Sequence, residues 1–311
     1  MARPFRFGSF TLGGTSIGEL TELARKAEDL GFSTLTLPDH FDGQLAAAPA
    51  LAAVAGVTTT LRIGTLVYAN DYRHPVVLAK EAATLDVLSE GRFELGLGAG
   101  WMTADYEQSG IAQDGPGTRI ERLDEAIDVL DGLFADGPFT YEGEHYRIGG
   151  LDGLPKPVQR PRPPLMLAGG GRRMLGLAAR RADIVGINVN LSSGRPEGDA
   201  WGADTTRDRF LLKAEWVREA AGRRFDDIEL HCQNYIAMIT DDREGVLEET
   251  APIFDITPDE AAASPQLLIG SVDEVVDQLE ERRELLGISY VHIPLDSADD
   301  FAPVLARLAG T

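Results

Sequence analysis

Apolar residues recur at helical spacing through Ile17, Leu20, Leu23, Ala24, Ala27 and Leu30, and Gly31 follows as a stop signal. The spacing predicts a helix over 16–30. Directly after it, Leu35-Thr36-Leu37 is a short apolar run closed by Pro38-Asp39-His40, which predicts a buried strand over 34–37. The alternation then continues. Strands are expected at 5–10, 61–67 and 92–97. Helices are expected at 46–59, which is rich in alanine, at 75–88 with Pro75 in the first turn, and at 118–134 with Ile120, Leu123, Ile127, Leu130 and Leu133 on one face. Residues 139–148 read as a hairpin outside the main sheet.

A cluster of prolines at Pro155, Pro157, Pro161, Pro163 and Pro164 separates this first half from a second with the same rhythm. Strand 165–168, helix 172–181 and strand 183–187 are followed by a polar, Gly- and Pro-bearing loop or lid at 191–204. Helix 205–221, a seventh strand at 228–239, a helical insertion near 241–263, helix 272–286, strand 289–294 and helix 301–308 complete the chain. Eight strands alternating with helices predict an α/β protein of the (β/α)8 TIM-barrel class. It is expected as a single domain over 1–311 with insertions after strands 4, 6 and 7, and no fixed-period repeat suggests a solenoid. Ligands of such barrels sit at the carboxyl ends of the strands.

Charge and cysteine content narrow the partners. The net charge of −21, from 50 acidic against 29 basic residues, argues against nucleic acid or an anionic membrane surface. The single cysteine, Cys232, permits no intrachain disulfide and no cysteine metal cluster, which fits a reducing compartment. Neither a signal-peptide core at the amino terminus nor an apolar run of membrane-spanning length is present, so a soluble, cytoplasmic protein acting on a small molecule is expected.

Four segments carry candidate chemistry. Asp39 and His40 fall at the end of the second strand, on the ligand side; by itself such a pair is equally a helix cap and a rim side chain. Residues 91–101, Gly-Arg-Phe-Glu-Leu-Gly-Leu-Gly-Ala-Gly-Trp, form a strand whose end is nearly bare of side chains at Gly98, Ala99 and Gly100 before closing with Trp101. A flat ligand can approach such a backbone closely, and tight packing explains the same glycines. Ala168-Gly169-Gly170-Gly171-Arg172-Arg173 lies between a strand and a helix, where free N–H groups, the helix dipole and two guanidiniums can converge on a phosphate. It lacks both the Gly-Lys-Ser/Thr of a P-loop and the third glycine of a dinucleotide fingerprint. Thr65-Leu66-Val67-Tyr68-Ala69-Asn70 ends the third strand with bulk and one short polar side chain.

Rival barrel chemistries fit poorly. Lys26, Lys80, Lys156 and Lys213 fall on predicted helices or in the proline-rich loop, not at strand ends where a Schiff base would form. The fourth strand ends in Gly-Ala-Gly-Trp, without the facing carboxylate of a glycosidase. The five histidines, His40, His74, His145, His231 and His292, are dispersed in sequence, so no metal site is expected. This inventory suits a bound organic cofactor.

Leu-Pro-Asp-His-Phe, the Ile63-Gly64-Thr65-Leu66-Val67 strand, the Gly-Leu-Gly-Ala-Gly-Trp segment, Gly-Gly-Gly-Arg-Arg with Leu-Ala-Ala-Arg-Arg-Ala-Asp, and the Leu268-Ile269-Gly270-Ser271-Val272-Asp273-Glu274-Val275 run together resemble the bacterial luciferase-like flavin and deazaflavin superfamily. Asp-His at the second strand end is similar to the branch that uses coenzyme F420, a 5-deazaflavin, with FMN as the alternative cofactor. The resemblance implies an oxidoreductase that transfers hydride between F420 and a small organic substrate, reducing an activated C=C, C=N or C=O bond. An FMN-dependent monooxygenase and a non-catalytic deazaflavin-binding protein are the alternatives. By the same resemblance Asp39 and His40 lie at the deazaflavin ring, with His40 as the catalytic proton carrier. Leu66, Val67 and Tyr68 fall on the family's bulged third strand, which often contains a non-proline cis peptide and supports the back of the ring. Ala69 and Asn70 line the cofactor's polar edge, Gly98, Ala99 and Gly100 flank the ring and ribityl chain, and Gly169, Gly170, Gly171, Arg172 and Arg173 hold the phosphate. Trp101 replaces an acidic residue of the family's sugar-phosphate dehydrogenases; this implies an apolar substrate side without a second proton-transfer group. A homodimer is the family's implied assembly.

Overall fold

The structure, a computed structural model, describes residues 3–12, 16–195 and 199–311. Eight parallel strands close into a barrel: β1 (Arg6–Phe10), β2 (Thr34–Leu37), β3 (Arg62–Thr65), β4 (Phe93–Gly98), β5 (Leu165–Gly169), β6 (Ile184–Ile187), β7 (Glu229–Gln233) and β8 (Ile288–Pro294). Neighbours in sequence are neighbours in space; β1 pairs with β8 and β3 with β4, which leaves no free edge. The outer ring is α1 (Ile17–Asp29), α2 (Ala47–Ala55), α3 (Pro75–Leu88), α4 (Pro116–Phe134), α5 (Arg172–Arg181), α6 (Arg207–Ala221), α7 (Val272–Leu286) and α8 (Ala298–Leu308). No helix among the described residues is long and apolar enough to cross a membrane.

Local chemistry accounts for the element boundaries. Ser16 caps α1 by accepting from the Glu19 N–H, and Leu20, Ala24 and Ala27 are the buried face that the apolar spacing marked. Ser271 and Glu274 form a reciprocal capping box on α7, which ends at Gly287 in the left-handed region, φ 78°. The strands are buried on both faces, between helices and barrel interior, and so read as continuous apolar runs.

Inside the barrel the layers differ in character. Near the amino-terminal ends of the strands Glu94, 3% exposed, accepts from Arg6 at 2.9 Å, from Arg62 at 2.6 Å and from the Tyr290 hydroxyl at 3.1 Å. Burial opposes ionisation of Glu94, but the two guanidiniums outweigh it and hold its carboxyl below the usual range. One layer up, His231 Nε2 and His292 Nδ1 lie 2.9 Å apart. Both rings are buried, and room for His292 exists only because position 8 is glycine: a Cβ there would stand 2.3 Å from His292 Nε2. The five histidines are therefore not all dispersed in space. Burial first, and the nearby Arg6 charge second, push His231 down to about 3; burial likewise drives His292 well below its ordinary value.

Three segments depart from the sequence reading. The expected seventh strand breaks at Asn234, whose N–H donates to the His292 carbonyl at 2.8 Å. The chain then leaves the barrel, and Ile236–Ile239 pairs with Leu267–Gly270 in a separate two-stranded sheet. That sheet and the helical segments between its strands enclose a satellite cluster of Leu247, Ala251, Phe254, Ala261, Leu267 and Ile269. The expected loop at 191–204 contains a short helix, Asp199–Ala203, with residues 196–198 outside the described residues, and a second short helix, Thr103–Ser109, forms after β4 where no element was expected. The hairpin is as expected, Pro138–Glu142 with Arg147–Asp152.

Candidate active site

The carboxyl ends of β2, β3 and β4 bring together most of the residues marked in the sequence. Asp39 follows β2 and receives the Ala69 N–H at 3.0 Å and both terminal nitrogens of Arg73 at 2.7 and 2.9 Å. This two-pronged ion pair fixes the segment leaving β3 against the end of β2. Asp39 is thus tied to backbone and to Arg73, a residue that the sequence did not single out.

His40, the next residue, turns to a different partner. Its Nδ1 lies 2.7 Å from Asp105 Oδ2, with side-chain exposures of 22% for His40 and 6% for Asp105. The Tyr72 hydroxyl donates to the same oxygen at 2.9 Å, and the Phe41 N–H reaches Oδ1 at 3.4 Å. Burial, then the Asp105 carboxylate, pushes the Tyr72 phenol well up, so it is a donor over the whole neutral range. Trp101 stands edge-on to the His40 ring, centroids 5.5 Å apart at 84°. Four residues beyond Trp101, Asp105 brings a carboxylate to His40 rather than to the open mouth. Asp105 was missed because no element was expected over its segment; a carboxylate in the first turn after Gly-Trp was the available signal.

The third strand is interrupted as the resemblance implied. The peptide bond between Leu66 and Val67 is cis, and the chain then re-pairs with β4 through Tyr68 and Ala69. Val67 and Leu66 pack on Met166, Ile184 and Tyr290 in the barrel interior. Gly96 and Gly98 make this possible: a Cβ at 96 would meet the Thr65 carbonyl oxygen at 1.9 Å, and one at 98 would meet Val67 Cγ2 at 2.9 Å. Gly100 has φ 77°, and a Cβ there would lie 1.9 Å from the Tyr106 hydroxyl, which itself donates to Asp71 at 3.1 Å. Asn70 is buried, gives Nδ2 to the Tyr146 hydroxyl at 3.3 Å, and keeps an Oδ1 with no partner among the described residues.

Beside β4, the glycine run at the end of β5 precedes α5. Gly169 and Gly170 are required by packing against Met174 and the Val189 backbone, whereas Gly171 has nothing closer than 3.9 Å. Gly171 is the N-cap and brings no side-chain acceptor, so the first-turn N–H groups of α5 stand uncapped. The two arginines do not converge. Arg172 pairs with Glu219 of α6 at 3.1 Å and Arg173 with Glu121 of α4 at 2.5 Å, both largely exposed. Adjacent helix positions point about 100° apart, which sends neighbouring side chains to different helices.

The remaining wall was not marked in the sequence. Asn188, just beyond β6, accepts at Oδ1 from the Tyr235 hydroxyl at 2.8 Å and from Gln266 at 2.7 Å. Lys213 of α6, fully buried, donates to the Asn188 carbonyl at 2.8 Å and to Asp204 Oδ2 at 2.6 Å, clasping the start and end of the 188–204 segment. Its residues 188–195 approach the segment after β4, where the Thr103 N–H donates to the Gly194 carbonyl at 3.1 Å. Trp201 then stacks on Phe254 of the satellite cluster, centroids 5.0 Å apart.

A barrel mouth with these strand ends defines the class: the chain belongs to the luciferase-like monooxygenase family, whose model matches residues 1–289. Among its relatives, an F420-dependent glucose-6-phosphate dehydrogenase of Microbacterium testaceum (strain StLB037) is 33% identical over 239 residues, 74% of this chain and 67% of the relative. The enzyme of the same name from Nakamurella multipartita is 30% identical over 257 residues, 79% and 71%. An uncharacterized protein of Mycobacterium tuberculosis is 33% identical over 183 residues, 51% of this chain; the match spans 64% of that relative, just under two thirds of its length. Among solved structures, the coenzyme F420 dependent tetrahydromethanopterin reductase from Methanopyrus kandleri has a TM-score of 0.76 at 20% identity, covering 98% of each chain. Long-chain alkane monooxygenase, LadA, has a TM-score of 0.79 at 16% identity, covering 99% of this chain and 92% of its own. At these identities the likeness is one of fold.

Proposed function

We propose that this chain is a deazaflavin-dependent oxidoreductase that binds coenzyme F420 at the barrel mouth and reduces an activated C=C, C=N or C=O bond in a small organic acceptor. The observation that carries the reading is His40: a partly exposed imidazole at a strand end, gripped by a buried carboxylate and shielded by Trp101. Identities of 30% and 33% to relatives named as F420-dependent support the choice of cofactor.

The residues present fit such a group. Gly98 leaves the β4 end bare beside Val67, Asn70 Oδ1 is a buried acceptor with no partner among the described residues, and the uncapped first turn of α5 suits a phosphate. Coenzyme F420, when bound, supplies the hydride. His40 holds the accompanying proton on Nε2 and delivers it to the acceptor. Asp39 and Arg73 hold residues 66–70 in place, Trp101 and Phe41 exclude water, and Gly169, Gly170 and Gly171 with the α5 N–H groups would hold the phosphate, while Arg172 and Arg173, paired with Glu219 and Glu121, would stand only at its periphery. The rim residues Phe41 and Leu45, 52% and 38% exposed, together with Trp101, favour an apolar acceptor over a sugar phosphate.

A second reading, an FMN-dependent monooxygenase, is supported by the fold shared with LadA. Quenching of deazaflavin fluorescence during titration, with FMN as competitor, separates the two. Saturable F420 binding that FMN does not displace is expected, with His40→Ala lowering turnover and leaving binding nearly intact. Tighter binding of FMN together with substrate-dependent oxygen consumption would overturn the proposal.

A further inference from the structure

We propose that Asp105, braced by Tyr72, is a positioning residue that holds the neutral His40 ring as its Nδ1–H tautomer and leaves Nε2 as the nitrogen that exchanges the reacting proton. The functional half of this inference rests on His40 being the proton carrier; the tautomer itself does not.

The argument is one of donors and acceptors. An ionised carboxylate only accepts, and three groups face Asp105: His40 Nδ1 at 2.7 Å, the Tyr72 hydroxyl at 2.9 Å and the Phe41 N–H at 3.4 Å. The Phe41 N–H can only donate, and among the described residues the Tyr72 hydroxyl has no other acceptor. With Tyr72 and the Phe41 N–H already donating to it, the Asp105 carboxylate meets His40 as an acceptor, so Nδ1 carries its proton in the neutral ring. The other charged groups near this segment are already committed: Asp39 is turned to Arg73 and the Ala69 N–H, and Trp101 presents only a ring edge to the imidazole. Asp105 is carried on the short helix Thr103–Ser109 and Tyr72 on the turn after β3, so two separate elements set the orientation of His40.

The consequence for proton transfer follows. In the doubly protonated ring Nε2–H is the N–H with no partner among the described residues. It would go to the acceptor atom adjacent to the carbon that is reduced, the proposed cofactor supplying the hydride. The ring is left neutral with Nδ1–H still on Asp105, and Nε2 regains its proton from water. Were the neutral ring free to place its proton on Nε2, Nδ1 would set a lone pair against the carboxylate and the bond would be lost.

The test uses the full chain labelled with [15N]histidine, without cofactor or substrate, at a pH where His40 is neutral. Long-range 15N–1H correlation is expected to show a protonated Nδ1 and an unprotonated Nε2 for His40, identified by its absence in His40→Gln. Asp105→Ala is expected to shift the ring toward the Nε2–H form and to lower kcat about tenfold to a hundredfold, with KM and deazaflavin affinity changed less than about threefold. Asp105→Glu, which keeps a carboxylate, is expected to restore the Nδ1–H form and part of the turnover. A wild-type ring protonated on Nε2, or a ring unchanged in Asp105→Ala, overturns the inference; the wild-type spectrum decides even if Asp105→Ala does not fold. Wild-type protein that shows the Nδ1–H ring but binds no deazaflavin overturns the proposed cofactor and leaves the tautomer standing.

Discussion

The buried pair of His231 and His292 makes the protein's stability acid-sensitive in a window that most carboxylates do not reach. Both rings have folded-state values below the ordinary 6.5, His231 at about 3. The unfolded chain therefore binds more protons than the folded one below about pH 6.5. The stabilisation is complete above that pH and is lost as pH falls toward 3. Each ring costs ~1.4 kcal/mol per pH unit, so at pH 5 each removes about 2 kcal/mol and the two together about 4 kcal/mol. That is a large share of a typical domain's 5–15 kcal/mol, roughly a quarter or more. Urea unfolding at pH 8, 7, 6 and 5 at constant ionic strength measures it. The free energy is expected to be flat above pH 7 and to fall by about 2 to 3 kcal/mol per unit below pH 6. His231→Gln removes one titrating ring, and the slope should halve. A wild-type profile flat from pH 8 to 5, or a slope unchanged in His231→Gln, would refute the claim that burial keeps these rings neutral.

Three further outcomes test other parts of the structure. Asp39→Ala removes the acceptor of three hydrogen bonds, two of them from Arg73; deazaflavin affinity in the fluorescence titration should fall about tenfold or more, and an unchanged affinity would separate Asp39 from the cofactor. Gly100→Ala forces a side chain to φ 77° and into the Tyr106 hydroxyl, so thermal unfolding should show a loss of about 2 to 4 kcal/mol, whereas Gly171→Ala should cost less than about 1 kcal/mol. Lys213→Met leaves Asp204 with Arg209 as its remaining ion-pair partner; about 3 kcal/mol of stability should go, and limited proteolysis should open first within the 188–204 segment.

The barrel itself was legible because its signal is local. Helical periodicity from Ile17 to Leu30, the prolines and glycines that end elements, and short apolar strands all report on residues within one turn or one strand of each other. The pairing of Ile236–Ile239 was not legible: its apolar alternation is the same whether the strand continues β7 or joins Leu267–Gly270, and only tertiary partners decide. The same holds in the site. His40 and Asp39 were visible at the end of β2, but Asp105 lies 65 residues from its histidine and Arg73 34 residues from its aspartate, distances that no motif spans. Arg172 and Arg173 illustrate the reverse error. Adjacent charges read as a cluster in sequence, yet successive helix positions part them, and each found a glutamate on a different helix.

The satellite cluster after β7 has a bearing on how such a protein can diversify. The groups around His40 are anchored in β2, β3 and β4, whose side chains also close the barrel core, so a change there risks the fold. The wall of Asn188, Tyr235 and Gln266 leans instead on a small core of its own, centred on Leu247, Phe254 and Ile269 and joined to the barrel through Arg282, which donates to the Asn234 side chain and to the Ser264 and Pro265 carbonyls. Substitutions in that outlying core can reshape one side of the mouth while the reacting side stays as it is. The molecule is in this sense divided into a conservative half and an adaptable half, and selection acting on the mouth has a region to work on that leaves His40 and its partners untouched.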